Sequence, residues 1–392
     1  MPAALAGHGS LDLFATDLYL DCHERSVIQA LRRLVPLASL DRLAARHSQS
    51  LAPERVRSFP AFAWLYRRRL AAARTAGART AAWLWGGARF CELAARLLRP
   101  SQDTVYAYSS TARELFLAGH ARGMRLVLDH ATAPRRHEMR LVEEEAERFA
   151  GWAASPERDD MIDAYHERQM AEAALADRIV CASSFARRAL IEHGVPAEKI
   201  RLVPLGIAPR FFDVRAEPGS AAALRVLFVG GDGLRKGVGY LAAARRRLGS
   251  NRIVVKVAGD LDLSAAALRT LADDVDLLGP VARGRIFDLY RWADVVVLPS
   301  VSDTFGLVVL EAMAAGLPVI ASENSCGPDV IRDGVDGFVV PIRDADAIAA
   351  RLDVLAGDPG RLKEMGRQAR RRARFFAGPA YADRLMAALS GA

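Results

Sequence analysis

The residues best placed to do chemistry lie in LPSVSDTFGLVVLEAMAAGLPVIAS, positions 298–322. An apolar run ends at Pro299–Ser300, and a polar loop follows with Ser302, Asp303 and Thr304. A helix is expected to open near Phe305–Gly306, run through Glu311 to Ala315 and stop at a Gly316 cap, with Pro318 opening the next strand. Its N-terminus offers the amides of Phe305, Gly306 and Leu307 to a phosphate or sugar hydroxyl. Gly306 has no side chain, so a ligand can reach the backbone. Asp303 and Glu311 flank this turn, and a carboxylate accepts two hydrogen bonds from a vicinal diol such as a ribose or hexose. An acid before a helix also stabilises the helix itself, so Asp303 taken alone reads either way.

A second candidate is LFVGGDGLRKGVGYLAAA, positions 227–244: a strand, a glycine-rich loop, then Arg235 and Lys236 at a helix start. Such a loop can cradle a diphosphate while the two cations neutralise it. It is not a Walker loop, because no Ser or Thr follows Lys236 and the glycine spacing differs. His130 closes the apolar run MRLVLDH and is expected at the carboxyl edge of a sheet, facing a cleft, with Asp129 as the neighbouring alternative. A histidine after a strand is also commonly structural. Glu138 and the acidic run 143–145 read as solvated helix. Without His-rich or Asp-x-Asp ligand clusters, neither a metal nor another cofactor is expected.

Alternating elements must position these groups. In the second half, short β-branched runs at 225–230, 253–259, 275–279, 293–300, 317–322 and 337–341 alternate with amphipathic stretches. That pattern means a parallel, doubly wound α/β sheet, which binds ligands at its carboxyl strand ends. The first half offers strands at 104–109, 124–130, 176–183 and 199–204. The stretch 204–222 suits an interdomain linker. Residues 1–103 are helical and Arg-rich, with no opening strand.

Residues 298–322 resemble the signature of glycosyltransferase family 4, in which two acids eight positions apart bracket a Phe-Gly pair and an E-A-M-A helix. Asp303 stands where that family usually has Glu; Phe305, Gly306, Glu311, Ala312, Met313, Ala314, Gly316 and Pro318 match. The resemblance implies a GT-B fold, two Rossmann-like doubly wound domains facing across a cleft, and retaining transfer from a nucleotide-sugar. It implies that Glu311 binds the ribose, that Asp303 holds a donor-sugar hydroxyl, and that the 305–307 amides meet sugar and phosphate. Gly279 and Val281 would lie against the base, and His130 beside the donor sugar. Gly231 occupies a position where the family carries arginine, and Arg235 is expected to replace that charge. The likeness is strong over 176–343, loose over 104–175 and nearly absent before 100. The implied division is an acceptor-binding domain 1–210, a donor domain 222–375 and a helix 376–392 packing back on the first domain.

Composition narrows the class. A length of 392 residues suits two domains. No apolar run reaches the ~18 residues of a membrane span, and no secretory leader is read at the start. Cys22, Cys91, Cys181 and Cys326 have no paired spacing and read as reduced, mostly buried thiols of a cytoplasmic protein. The net charge is +8, of which residues 1–210, with 30 basic against 24 acidic side chains, hold +6. That excess reads either as genome composition, since 50 of the 54 basic residues are arginine, or as a surface that meets an anionic partner. Helices around Leu31–Val35 and Trp64–Leu70 set arginines beside Phe59, Phe62, Trp64 and Tyr66, so either the aromatics are core and the arginines a solvated edge, or the helices meet an anionic membrane peripherally. The expected partners are a nucleotide-sugar donor and a glycan or lipid-linked acceptor, and no nucleic acid, because no recognition motif accompanies the arginines. A sugar-nucleotide epimerase of the same architecture and a silent nucleotide-sugar-binding subunit are the rival classes.

Overall fold

The computed structural model describes residues 1–20, 46–48, 50–154, 159–214, 223–249, 252–282 and 284–390. Cys22, the Leu31–Val35 segment and the end of the 204–222 stretch lie outside the described residues. The chain forms two compact units, Met1–Asp129 with Arg158–Arg178 and Leu385–Ala392, and His130–Glu157 with Ile179–Arg384.

In the first unit, strands β1 (Phe14–Thr16) and β2 (Val56–Ser58) pair in parallel. They correct the expectation of a strandless opening; three residues each are too short to show periodicity. Helices Pro60–Ala72 and Ala76–Ala95 follow, then β3 (Thr104–Tyr108) and β4 (Arg125–Asp129), also parallel. Helix Arg113–His120 joins these strands by crossover, and helix Ile162–Leu175 packs on it. The fully buried Glu172 carboxylate accepts the amides of Ser110, Ala112 and Arg113 at 2.5, 3.0 and 3.1 Å, capping the shorter helix. Arg168 completes the network through Glu114 at 2.6 Å.

In the second unit, β5 (Arg178–Cys181, its first residue in the other unit) pairs with β6 (Ile200–Leu202) in parallel. A six-stranded parallel sheet follows: β7 (Leu224–Val229), β8 (Ile253–Ala258), β9 (Asp276–Gly279), β10 (Val295–Leu298), β11 (Val319–Ser322) and β12 (Gly337–Val340). Its spatial order is β12-β11-β10-β7-β8-β9. The chain winds outward one way from β7 and the other way from β10, the dinucleotide-fold order, so a crevice opens beyond the carboxyl ends of these two central strands. β10 and β11 are buried along their whole length, as covering both faces with helices requires.

Residues 130–157 pack on this second unit. Phe149 and Trp152 join its core, and Ser264 donates its amide to the Trp152 carbonyl at 2.8 Å. Within helix Arg135–Arg148 the acidic run is not uniformly solvated. Glu145 is fully buried, held by the Tyr240 hydroxyl at 2.7 Å and Arg343 Nε at 2.5 Å. A run of identical acids hides which one faces inward, and only the packed partners select it.

Candidate active site

The loops after β7 and β10 meet at the strand-order switch. Helix Leu307–Ala315 starts from Gly306, whose φ of +79° is left-handed. A Cβ built there would lie 2.8 Å from Leu298 Cδ2 and 2.9 Å from Asp303 Oδ2, so only glycine fits. The helix ends at Gly316, also left-handed, whose amide returns to the carbonyls of Ala312 and Met313.

Asp303 is 8% exposed, and its Oδ2 takes a direct ion pair from Lys236 Nζ. The expectation gave these residues different parts of a ligand; in the structure they neutralise each other across the two loops. Arg235 strengthens the same seam. Its carbonyl accepts the amides of Val301 and Ser302 at 2.9 and 3.3 Å, and its guanidinium donates to the Ser302 carbonyl at 3.0 Å. Asp232 at 2.7 Å and Glu138 at 3.6 Å accompany the guanidinium. Burial opposes its charge, but these carboxylates outweigh that and raise its pKa. At Gly231 an added Cβ would come within 2.9 Å of the Asp260 carbonyl oxygen, so the backbone here leaves no room for a side chain.

Glu311 stands one turn into the helix, on the face of Leu307, and its Oε2 accepts the Tyr290 hydroxyl at 2.8 Å. Tyr290 has no exposed surface. Burial, then the Glu311 charge, push its phenol well above the usual pKa, so it stays a donor. Phe305 is buried, while Leu307 is exposed at the helix mouth. Gly279 (φ +65°) closes β9, two strands from β7, and the partly exposed Val281 follows it.

His130 is fully buried, with Nδ1 2.6 Å from the Thr132 carbonyl oxygen. That carbonyl only accepts, so Nδ1 carries the proton. The next residue, Ala133, donates its amide to Thr304 Oγ1 at 3.3 Å, which brings the His130 loop to the Asp303 turn. Ser183 Oγ donates to the Thr304 carbonyl from the other side. Asn324 accepts the Asp303 amide at 2.9 Å on its carbonyl and donates to the Val301 carbonyl at 3.0 Å.

Sequence reasoning missed Tyr290, Ser183 and Asn324. Tyr290 sits in an apolar helix beside a strand and reads as core; Ser183 and Asn324 stand in loops whose partners are far away in sequence. Burial raises Cys326, and at Cys91 it drives the thiol up to about 12, so neither is an activated nucleophile. The described residues hold no group of three or more metal-ligating side chains. The thiols of Cys91, Cys181 and Cys326 are buried and form no disulfide among the described residues.

In the first unit a cavity of about 740 Å³ is lined by residues including Phe14, Arg55, Tyr106, Tyr108 and Leu389. None of the donor-turn residues borders it.

Residues 223–358 match the family model described as glycosyl transferases group 1. The D-inositol 3-phosphate glycosyltransferase of Thermobispora bispora is 34% identical over 237 residues, covering 54% of this chain and 55% of its own. The amylovoran biosynthesis glycosyltransferase AmsK of Erwinia amylovora is 35% identical over 176 residues, 42% and 43% of the two chains. The chain thus spans about half the length of the curated relatives it matches. Anabaena Alr3699/HepE, solved in complex with UDP, superposes over 100% of this chain and 97% of its own, with a TM-score of 0.61 and 16% identity. Sucrose-phosphate synthase from Thermosynechococcus elongatus gives 0.58 over 77% of each chain at 22% identity. The fold is that of the GT-B glycosyltransferases. Within it, the match to the group 1 glycosyl transferases falls on residues 223–358. No helix among the described residues is long and apolar enough to cross a membrane.

Proposed function

We propose that this chain is a retaining, metal-independent glycosyltransferase moving a hexose-type sugar from a nucleotide-sugar to a glycan, lipid-linked or small-molecule acceptor. The observation that carries this reading is the Lys236–Asp303 ion pair joining the loops after β7 and β10 at the strand-order switch. Lys236 lies where a diphosphate would sit, beside the open amides of a helix N-terminus, and Glu311 one turn on suits the ribose diol. The donor displaces Lys236 from Asp303: the ammonium turns to the diphosphate, and the carboxylate takes a sugar hydroxyl. As the glycosidic bond breaks, negative charge grows on the leaving diphosphate, where Lys236, Arg235 and the helix N-terminus stabilise it. His130 serves the sugar side of the same turn.

HepE was solved with UDP and with UDP-glucose, which favours a uridine donor. The names of the relatives favour a polyol phosphate or a growing glycan as acceptor. The acceptor is met by the first unit, at the cytoplasmic face of an anionic membrane. The test is mass spectrometry of products from UDP-, GDP- and ADP-sugars with an acceptor panel in excess EDTA, and NMR of the new anomeric centre. Transfer with retention is expected. Activity lost to EDTA and restored by magnesium or manganese would overturn metal independence. Inverted product would overturn retention. Epimerised donor without acceptor, or binding without turnover, would replace the transferase reading.

A further inference from the structure

We infer that the exposed face of helix Pro60–Ala72 is a docking surface for an anionic membrane, with Trp64 and Leu65 entering the headgroup layer and arginines meeting lipid phosphates. Between Glu54 and Glu92 the chain has eight arginines and no acidic residue, so residues 55–91 carry +8, as much net charge as the entire chain. Composition alone spreads arginine; it does not clear 37 consecutive positions of acids.

The packing decides which aromatics are core. Phe62 and Ala63 are buried. Phe62 stacks on Tyr66 at 5.7 Å and packs on Trp85 and Phe90, each at 6.1 Å. A Cβ at Gly86 would lie 2.4 Å from the Tyr66 ring, so the two helices are closely apposed along this side. With Phe62 and Tyr66 facing inward, Trp64 and Leu65 are left 60% and 44% exposed. The steps from Trp64 to Arg67, Arg68 and Ala71 are three, four and seven residues, one helical face, and all four are exposed. Arg68 lies over the Trp64 ring at 4.7 Å. No carboxylate among the described residues pairs with Arg67, Arg68 or Arg69.

An indole and a leucine on a water-facing helix gain nothing from a soluble polyanion's phosphates. They gain from the acyl–headgroup boundary, where a ring sits at glycerol depth and a guanidinium reaches the phosphate beside it. The helix lies on the surface and does not span it, since no described helix is apolar enough to cross. Docking of this kind rests on the membrane part of the proposed function and not on its donor chemistry.

The experiment is co-sedimentation of the full chain with phosphatidylcholine vesicles, with and without phosphatidylglycerol, together with Trp fluorescence and UDP calorimetry. Wild type should bind only the anionic vesicles, with a blue-shifted emission, and should release as salt approaches 1 M, where screening shortens to about 3 Å. Arg67→Glu, Arg68→Glu and Arg69→Glu combined should weaken binding by about tenfold or more. The triple Arg→Gln variant should weaken it less. Trp64→Ser with Leu65→Ser should also weaken binding and remove the blue shift. All these sites are exposed, so far-UV circular dichroism and UDP affinity should match wild type. Wild type ignoring anionic vesicles at low salt, or variants binding like wild type, would overturn docking. Binding of single-stranded RNA without vesicle binding would overturn it in favour of a nucleic acid. Vesicle binding with no UDP affinity would leave docking standing and remove the donor reading.

Discussion

The Tyr290 hydroxyl donates a 2.8 Å hydrogen bond to Glu311 Oε2 from a ring with no solvent exposure. It orients the carboxylate assigned to the ribose. Glu311→Gln should weaken binding of the nucleoside diphosphate by about 1–3 kcal/mol, and Tyr290→Phe by about 1 kcal/mol, since the first loses a charged partner and the second one neutral donor. Calorimetry with UDP reads both; equal affinity in Glu311→Gln and wild type would remove the ribose assignment.

The ion pair of Lys236 with Asp303 should make the two single variants unequal. Lys236→Ala leaves the nearly buried Asp303 without its cation and should cost about 3 kcal/mol of stability as well as most turnover. Asp303→Asn should spare UDP affinity while lowering turnover. The double variant should recover stability without recovering activity, a separation that thermal melts and initial rates would reveal.

At Gly231 restoring a side chain should harm the protein. The Asp260 carbonyl oxygen lies 2.9 Å from an added Cβ, so Gly231→Ala and Gly231→Arg should each destabilise by about 1–3 kcal/mol. Neither should raise turnover, because Arg235 already lies at this seam. A more active, equally stable Gly231→Arg would show that the loop can move aside.

Asp129, at the end of β4, carries a pH signature. Burial raises its carboxyl from 3.8 to about 6, and the Tyr106 hydroxyl at 2.9 Å only partly opposes this. Between these values the folded state holds a proton that the unfolded chain has released, so stability falls as pH rises from about 4 to about 6 and then levels. Asp129→Asn should remove that fall and gain on the order of 2 kcal/mol at pH 7. Melting temperatures of both proteins across pH 4–8 would show it; parallel profiles would count against it.

The ten strands read from apolar runs all form, each within three residues at either end of its expected bounds, and β10 and β11, buried along their whole length, show how a strand covered on both faces is written as an uninterrupted apolar run. The Gly306 helix start and the Gly316 stop were legible for a similar reason: each needs a left-handed backbone that favours glycine. Strands β1 and β2 were not legible, since three residues carry no period.

What the sequence determined by itself is therefore local: strand, helix, cap, and the residue types at the two loops that a doubly wound sheet sets side by side. Only the tertiary structure decided who faces whom. It paired Lys236 with Asp303, put Tyr290 under Glu311, turned Glu145 inward while its neighbours stayed more exposed, and sorted Phe62 from Trp64. Ion pairs and hydrogen bonds between residues tens of positions apart leave no periodic trace in a chain, because they depend on how whole elements pack and not on the order in which residues follow one another.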